Sequence, residues 1–159
     1  MILEILSDTI TGTEPTNLTD AQIWFRSEDS NGAEDDLIGS LLSQARGAIE
    51  SACNISLIDR SLEVYLDEYI GYLPLGPIDS DSWVVNSGTV NKKGFSYPYV
   101  NESADANVTY DCKAVFNPDL INAIYELASF WYFRGDMNDR SIPDKVKLVI
   151  KRYTRRVFL

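Results

Sequence analysis

The sequence predicts a mainly α-helical protein, a small bundle of about four helices with a β-hairpin or a small antiparallel sheet inserted in the middle. Stretches on both sides of the middle, 34–53 and 117–134, repeat apolar residues at helical spacing. Residues 62–66 instead alternate apolar and polar side chains, which is the period of a strand. No internal repeat and no Gly/Ser/Pro-rich linker divides the 159 residues, so we expect a single domain over 1–159.

The first part of the chain is predicted to be helical over 18–56. A short helix at 19–26 begins with Thr19, which forms a capping-box pattern with Gln22. The clearest helix runs from about 34 to 53, because its first residues are acidic and carboxylates are favoured at the positive end of the helix dipole. One face of this helix is apolar and comprises Leu37, Ile38, Leu41, Leu42, Ala45, Ala48, Ile49 and Ala52.

The middle of the chain, 60–112, is predicted to be a β-rich insertion. Its first strand is the alternating stretch 62–66, and the proline-containing segment 73–78 is expected at a sheet edge or in a turn. The other predicted strands are a hairpin formed by 83–85 and 95–99 around a polar loop at 86–94, and a short strand at 108–110.

The last part, 117–156, is again predicted to be helical. Asn117 and Pro118 have the residue types of a helix start, and the helix that follows is apolar on nearly every side. Such a helix is either the central core helix of the monomer or partly buried against a neighbouring subunit, and the sequence leaves both interpretations open. The aromatic residues that widen its apolar surface, and that we predict at a subunit interface, are Tyr125, Phe130, Trp131 and Phe133.

The final helix is predicted to be capped by the segment 141–144 and to carry six of the fourteen basic residues of the chain. The net charge is −10, but residues 145–159 contain six basic residues and no acid, so this segment carries +6 and 1–144 carries −16. A solvated cationic face is the simplest interpretation of the helix. The alternatives are docking onto an acidic protein surface and contact with DNA phosphates.

The composition excludes several classes of chemistry. The chain has no histidine, which removes imidazole bases and histidine-containing zinc sites, and its two cysteines are too few for an all-cysteine zinc site. We expect Cys53 and Cys112 to be buried free thiols, with a single disulfide as the alternative. No stretch of about 18 apolar residues indicates a membrane-spanning helix, and the first residues lack the basic region of a secretory signal.

The residue patterns in the sequence give little support for a catalytic site. The adjacent carboxylates Asp35 and Asp36, like Glu28 and Asp29, fall at a helix start or in a polar turn, where we expect solvated side chains. The glycines are scattered and form no phosphate-binding loop, and no Ser or Cys has the pattern of a nucleophile elbow. We therefore expect no enzyme, no cofactor and no metal site.

The order and spacing of six segments resemble a known family. The segments are 34–46, 58–65, 72–78, 108–110, 117–128 and 132–134. Together they resemble the head–tail connector proteins (adaptor or head-completion proteins) of long-tailed phages and prophages, which are also described as DNA-packaging proteins. The resemblance extends over about 18–155, nearly the whole chain.

The resemblance implies a mostly helical fold with a small β insertion, and a structural virion protein at the head–tail interface. It implies a ring, commonly of twelve copies, that lies below the portal, binds a stopper or tail-completion protein underneath and lets DNA pass without sequence-specific binding. Such a protein assembles in the host cytoplasm. In this family the C-terminal helix docks on the portal, and the matching residues here are Lys145, Lys147, Lys151, Arg152, Arg155, Arg156, Phe158 and Leu159.

Two further hypotheses follow from the charge distribution. An acidic inner wall of such a ring would let DNA slide without sticking, because phosphates would meet no cations. The alternative function is a small DNA-binding module that acts through the basic C-terminal helix.

Overall fold

The computed structural model describes residues 1–26, 32, 34–134 and 141–154. In chain order the elements are β1 (Ile2–Ile10), α1 (Leu18–Phe25), α2 (Asp35–Cys53), β2 (Arg60–Asp67), β3 (Gly71–Tyr72), β4 (Val84–Lys93), β5 (Tyr99–Cys112), α3 (Pro118–Arg134) and α4 (Asp144–Tyr153).

The predicted fold class, mainly α-helical, is wrong. The described structure is 40% helix and 32% strand, and its five strands form one antiparallel sheet in the shape of a half-barrel. The helices lie where the sequence predicts them. The error comes from strands: β1 was not predicted, and the polar stretch 86–94, predicted as a loop, belongs mostly to β4.

The chain divides into two compact units. The sheet unit comprises Met1–Thr13 and Asn54–Val115, and the helical unit comprises Glu14–Cys53 and Phe116–Thr154. Each unit is therefore assembled from two separate stretches of sequence. The single domain over 1–159 stays a prediction.

In the sheet unit, β5 is the central strand. The β5 residues Ala106–Cys112 pair with β2, and the β5 residues Tyr99–Thr109 pair with β4. The short strand β3 pairs with the first two residues of β5. β1 pairs with the other side of β2, so the two long outer strands of the sheet are β1 and β4, and the two-residue β3 is a third outer strand. The core against this sheet contains Leu62, Val64, Leu66, Leu73, Ile78, Val100, Ala106, Val108, Tyr110 and Cys112.

The predicted hairpin is present but displaced. The strands are β4 and β5, and the turn lies at 94–98 rather than at 86–94. Gly88, with a φ of +74°, lies within β4, and the register shifts on either side of Ser87. Because β4 is an outer strand with mostly exposed side chains, its polar composition is compatible with a strand.

In the helical unit, the start of α3 is as predicted and the caps of the other helices differ. The Asp119 amide donates to Oδ1 of Asn117 at 2.9 Å. α1 is capped by Asn17, whose Oδ1 accepts from the Asp20 amide at 2.8 Å, rather than by Thr19. In the predicted capping segment 141–144, Pro143 occupies the N-cap position of α4, and no side chain forms a capping hydrogen bond there.

Candidate assembly surfaces

The first candidate surface is the cationic side of α4. Three of its cations form ion pairs within the helical unit: Lys145 with Glu126 at 3.6 Å, Lys147 with Asp144 at 3.0 Å, and Arg152 with Asp119 at 3.4 Å. Lys151 is exposed and has no acidic partner among the described residues. The positive charge of this helix is thus partly neutralised by neighbouring acids, and Lys151 is its most available cation.

The remaining predicted docking residues, Arg155, Arg156, Phe158 and Leu159, lie outside the described residues. For the predicted portal-docking site, the structure therefore places only the four cations between Lys145 and Arg152.

A shallow groove of about 210 Å³ lies between α3 and α4. Its lining comprises Asp119, Asn122, Ala123, Glu126, Leu148, Val149 and Arg152. Leu148 is 68% exposed, whereas Val146 on the opposite side of α4 is fully buried. The groove combines an apolar side with charged groups, which suits a protein side chain better than a small cofactor.

The second candidate surface, the aromatic part of α3, is largely internal. Tyr125 is 4% exposed, stacks on Trp24 at a centroid distance of 6.0 Å and accepts a hydrogen bond from the Asn17 amide at 3.0 Å. Trp131 is 6% exposed, and its indole N–H donates to the Ser141 carbonyl at 2.9 Å. Both rings are therefore packed within a single copy, as the core-helix interpretation expects.

The other two predicted interface residues are more accessible. Phe133 is 60% exposed and contacts Tyr132 edge-on at 5.3 Å. Phe130 is half-buried beneath the Arg134 guanidinium, 5.2 Å from the ring centroid. The subunit interface at α3 stays a prediction, and within it Phe133 is the most accessible aromatic ring.

A third surface, the outer edge of β1, was missed by the sequence analysis. β1 pairs with β2 on one side only, and no hydrogen bond among the described residues involves the backbone of its other side. Its exposed apolar side chains are Ile2 (49%), Ile5 (45%), Leu6 (47%) and Ile10 (49%). The signal for this strand was the density of isoleucine and leucine without helical spacing, which the sequence analysis tested only as a secretory signal.

The far end of β1 is fixed by a polar network in the sheet unit. Arg60 is 5% exposed, and its guanidinium donates to Asp8 Oδ2 at 2.7 Å and to Ser56 Oγ at 3.0 Å. A charge-assisted hydrogen bond of this length is among the stronger kinds. The network ties β1 to β2 and leaves the outer edge of β1 open.

The opposite outer strand, β4, has a different character. Lys92 and Lys93 lie at its end, and the Lys92 ammonium lies 4.3 Å from the centroid of the Trp83 ring. Partial burial lowers the pKa of Lys92. Val84 and Val85 at the other end of β4 are 51% and 40% exposed.

The described residues include most of the acids and cysteines that were considered for catalysis, disulfide formation or metal binding. Asp35 and Asp36 lie in the first turn of α2, as predicted, whereas Glu28 and Asp29 lie outside the described residues. Cys53 and Cys112 are both buried, and both are thiols rather than members of a disulfide. Within the described ranges no group of three or more His, Cys, Asp or Glu side chains could hold a metal ion, and no helix there is long and apolar enough to span a membrane.

No model of a known protein family matches the chain, and no curated protein matches it. Among solved structures, a chain described as "Neck of empty GTA particle computed with C6 symmetry" is 21% identical, with a TM-score of 0.66, and the match covers 99% of this chain and 98% of that chain. This chain shares that fold.

Two further structures match the same extent of the chain. A chain of "Virion of native gene transfer agent (GTA) particle" is 20% identical with a TM-score of 0.66, and a chain of "Neck of native GTA particle computed with C12 symmetry" is 20% identical with a TM-score of 0.59. At this level of identity the similarity establishes the fold, including the sheet that the sequence analysis underestimated.

Proposed function

We propose that this chain is a structural virion protein, a subunit of a connector (adaptor) ring in the neck of a tailed phage or phage-like particle. The observation that carries the proposal is the similarity in fold, over 99% of the chain, to chains from particles described as GTA necks. We propose that the protein acts by assembling, and not as an enzyme.

A ring requires two different surfaces on each copy, because a closed cyclic assembly is held by heterologous contacts. The described residues offer several distinct exposed surfaces, among them the β1 edge and the α4 cations. The related particles were described with C6 and C12 symmetry. We propose a ring of twelve copies that lies between the portal protein and a stopper or tail-completion protein, formed in the host cytoplasm and retained in the virion.

The charge of the sheet unit supports passage of DNA without specific binding. Residues 1–13 and 54–115 contain eleven acids and four basic residues, a net charge of −7. Such a surface repels phosphates, so DNA that meets it gains little affinity. An acidic wall around the DNA channel remains part of the proposal.

The alternative function, a DNA-binding module that acts through α4, has weaker support. Lys145, Lys147 and Arg152 already have carboxylate partners within 3.6 Å. A phosphate would have to compete with those carboxylates for each cation. A portal surface could instead use Lys151 and the groove beside Leu148 together.

The test is assembly with the portal protein encoded by the same genome. We expect rings on the portal in negative-stain images, and no DNA affinity of the isolated chain at low salt. Lys151→Glu should weaken portal binding about fivefold or more, because it reverses an exposed charge that has no acidic partner in the described structure. Lys147→Glu is the matched control, because it makes the same charge reversal on the same helix at an ammonium that Asp144 already neutralises.

The binding constants are measured by titrating the chain onto immobilised portal. Equal loss of affinity for both variants would contradict the proposed docking site. A wild-type chain that binds DNA but not portal would contradict the connector function and favour the alternative.

A further inference from the structure

The outer edge of β1 has the properties of an edge strand that pairs with a further strand. It is nine residues long, and four of its large apolar side chains are 45–49% exposed. Long apolar edge strands pair readily with other strands, and soluble proteins normally protect them with charges, bulges, prolines or a covering segment. Here the protection amounts to one irregularity, between Ile5 and Ser7, and two acids, Glu4 and Asp8. No described residue covers this edge.

The direction of the strands determines which pairings continue the sheet. The path from β1 to β4 crosses four of the five strands, in the order β1, β2, β5, β4, and each neighbouring pair is antiparallel. Because four is an even number, β1 and β4 run in opposite directions. When β4 of one copy lies beside β1 of the next in the same orientation, the antiparallel alternation continues without a break.

In the stretches that would pair, every residue already has a partner on the neighbouring strand of the same copy. Two register shifts of β4 fall on either side of Ser87, and a third lies between Asn91 and Lys92, where Asn101 of β5 is the residue left unmatched. On β1 the stretch from Ile2 to Ile5 precedes the irregularity. Four or five residues on each side are enough for a short ladder of the kind that β-augmentation uses.

The faces of the two strands also match. Leu3 and Ile5 lie opposite the buried residues Leu66 and Val64 of β2, so Glu4 between them is on the other face. On β4, Val90 and Lys92 are half-buried, so Lys93 lies on the same outer face as Glu4 does on β1. In an antiparallel pair that keeps these faces, Glu4 and Lys93 are direct or diagonal neighbours.

The charges favour this pairing over the symmetric ones. Glu4 and Lys93 are both exposed and have no ionic partner among the described residues. A pair of two β1 strands would bring Glu4 close to its own copy or to Asp8, and a pair of two β4 strands would bring the lysines together. Like charges opposite each other destabilise a strand pair.

We propose that β1 of one copy pairs with the Thr89–Lys93 stretch of β4 of a neighbouring copy, so that one antiparallel sheet runs through successive subunits. The inference rests on the proposed function, because it supplies the heterologous contact that a ring needs. The occupant of the β1 edge is thus a second copy of this chain, and Glu4 and Lys93 select it.

The experiment is a charge swap, measured by sedimentation velocity at low ionic strength on four chains: wild type, Glu4→Lys, Lys93→Glu and the double variant. Each single variant should weaken self-association about fivefold, because each places like charges at every contact. The double variant should restore the wild-type association, because the opposite charges are then exchanged. Circular dichroism should be identical for all four chains.

The outcomes separate this inference from the proposed function. Rings that form equally well in all four chains would overturn the edge pairing and leave the connector function standing. Association into open filaments that is weakened in the single variants and restored in the double variant would support the edge pairing and contradict the ring. A double variant that associates no better than the single variants, or a wild-type chain that stays monomeric at every concentration reached, would overturn the edge pairing.

Discussion

Arg46 is a charged residue in the interior of the helical unit. It is 4% exposed and lies 2.6 Å from Glu50 Oε2, one helical turn further along α2, and 2.8 Å from Glu14 Oε2. Burial lowers the pKa of Arg46, but hydrogen bonds and charge interactions with Glu14 and Glu50 outweigh that effect and raise it. The guanidinium therefore stays charged and holds the segment before α1 against α2.

Replacing Arg46 should reveal how strongly the buried carboxylate of Glu50 depends on it. Glu50 is only 2% exposed, so Arg46→Leu removes a guanidinium 2.6 Å from a buried carboxyl group and should lower the free energy of unfolding by about 3–5 kcal/mol. Glu14→Gln should cost about 1 kcal/mol or less, because the Glu14 side chain is 39% exposed. Urea denaturation measures the free energy of unfolding of both variants. Equal losses would contradict the view that the buried contact with Glu50 matters more than the exposed one with Glu14.

At the scale of elements, helices were predictable and outer strands were not. α2 and α3 each bury one apolar face, so their periodicity is visible in the sequence. In β1 the irregularity between Ile5 and Ser7 interrupts the two-residue alternation, and in β4 the exposed side chains are polar. The pattern that identifies a strand is burial of one face, and an outer strand shows it least.

The candidate surfaces, too, could be predicted from the sequence only in part. The cations of α4 could be placed on a helix from the sequence, but their pairing with Glu126 and Asp119 of α3 depends on packing between elements. The open edge of β1 could not be predicted at all, because an edge is defined by strand order. Only the assembled sheet identifies β1 and β4 as outer strands.

Replacing two glycines by alanine should change the free energy of unfolding in opposite directions. A Cβ at Gly88 would clash with the Asp105 carbonyl oxygen, and the φ of +74° at this position is unfavourable for other residues, so Gly88→Ala should lower the free energy of unfolding by about 1–3 kcal/mol. A Cβ at Gly47, within α2, meets nothing within 4 Å, so Gly47→Ala should raise it by about 0.5–1 kcal/mol. Thermal denaturation compares them, and destabilisation by Gly47→Ala would contradict this account.

For the whole molecule, the division into two units bears on the predicted single domain. The chain passes from one unit to the other near residues 13, 53 and 115, so neither unit is a continuous stretch. β1 reaches β2 only after the chain has passed through α1 and α2. We therefore propose that the two units fold and unfold together, as one domain.

The two thiols can test this proposal, since Cys53 belongs to the helical unit and Cys112 to the sheet unit. Burial raises the pKa of the Cys53 thiol, so less reactive thiolate is present in the folded chain. With the single-thiol variants Cys53→Ala and Cys112→Ala, labelling in increasing urea should give the same midpoint for both cysteines. Midpoints that differ by more than about 0.5 M, on a scale where 1 M of urea changes stability by about 1–3 kcal/mol, would contradict the single domain.

The pairing of β1 with β2 also affects how the protein is made. Ile10 pairs with Arg60 and Ile2 with Asp67, so the two strands are separated by 50 to 65 residues of chain. At a translation rate of about 5–20 residues per second, β1 waits for several seconds after leaving the ribosome before β2 follows. During that interval an isoleucine-rich strand has both edges open in a cell crowded with other nascent chains. We therefore expect this strand of the nascent chain to be open to pairing with other chains until β2 has been made.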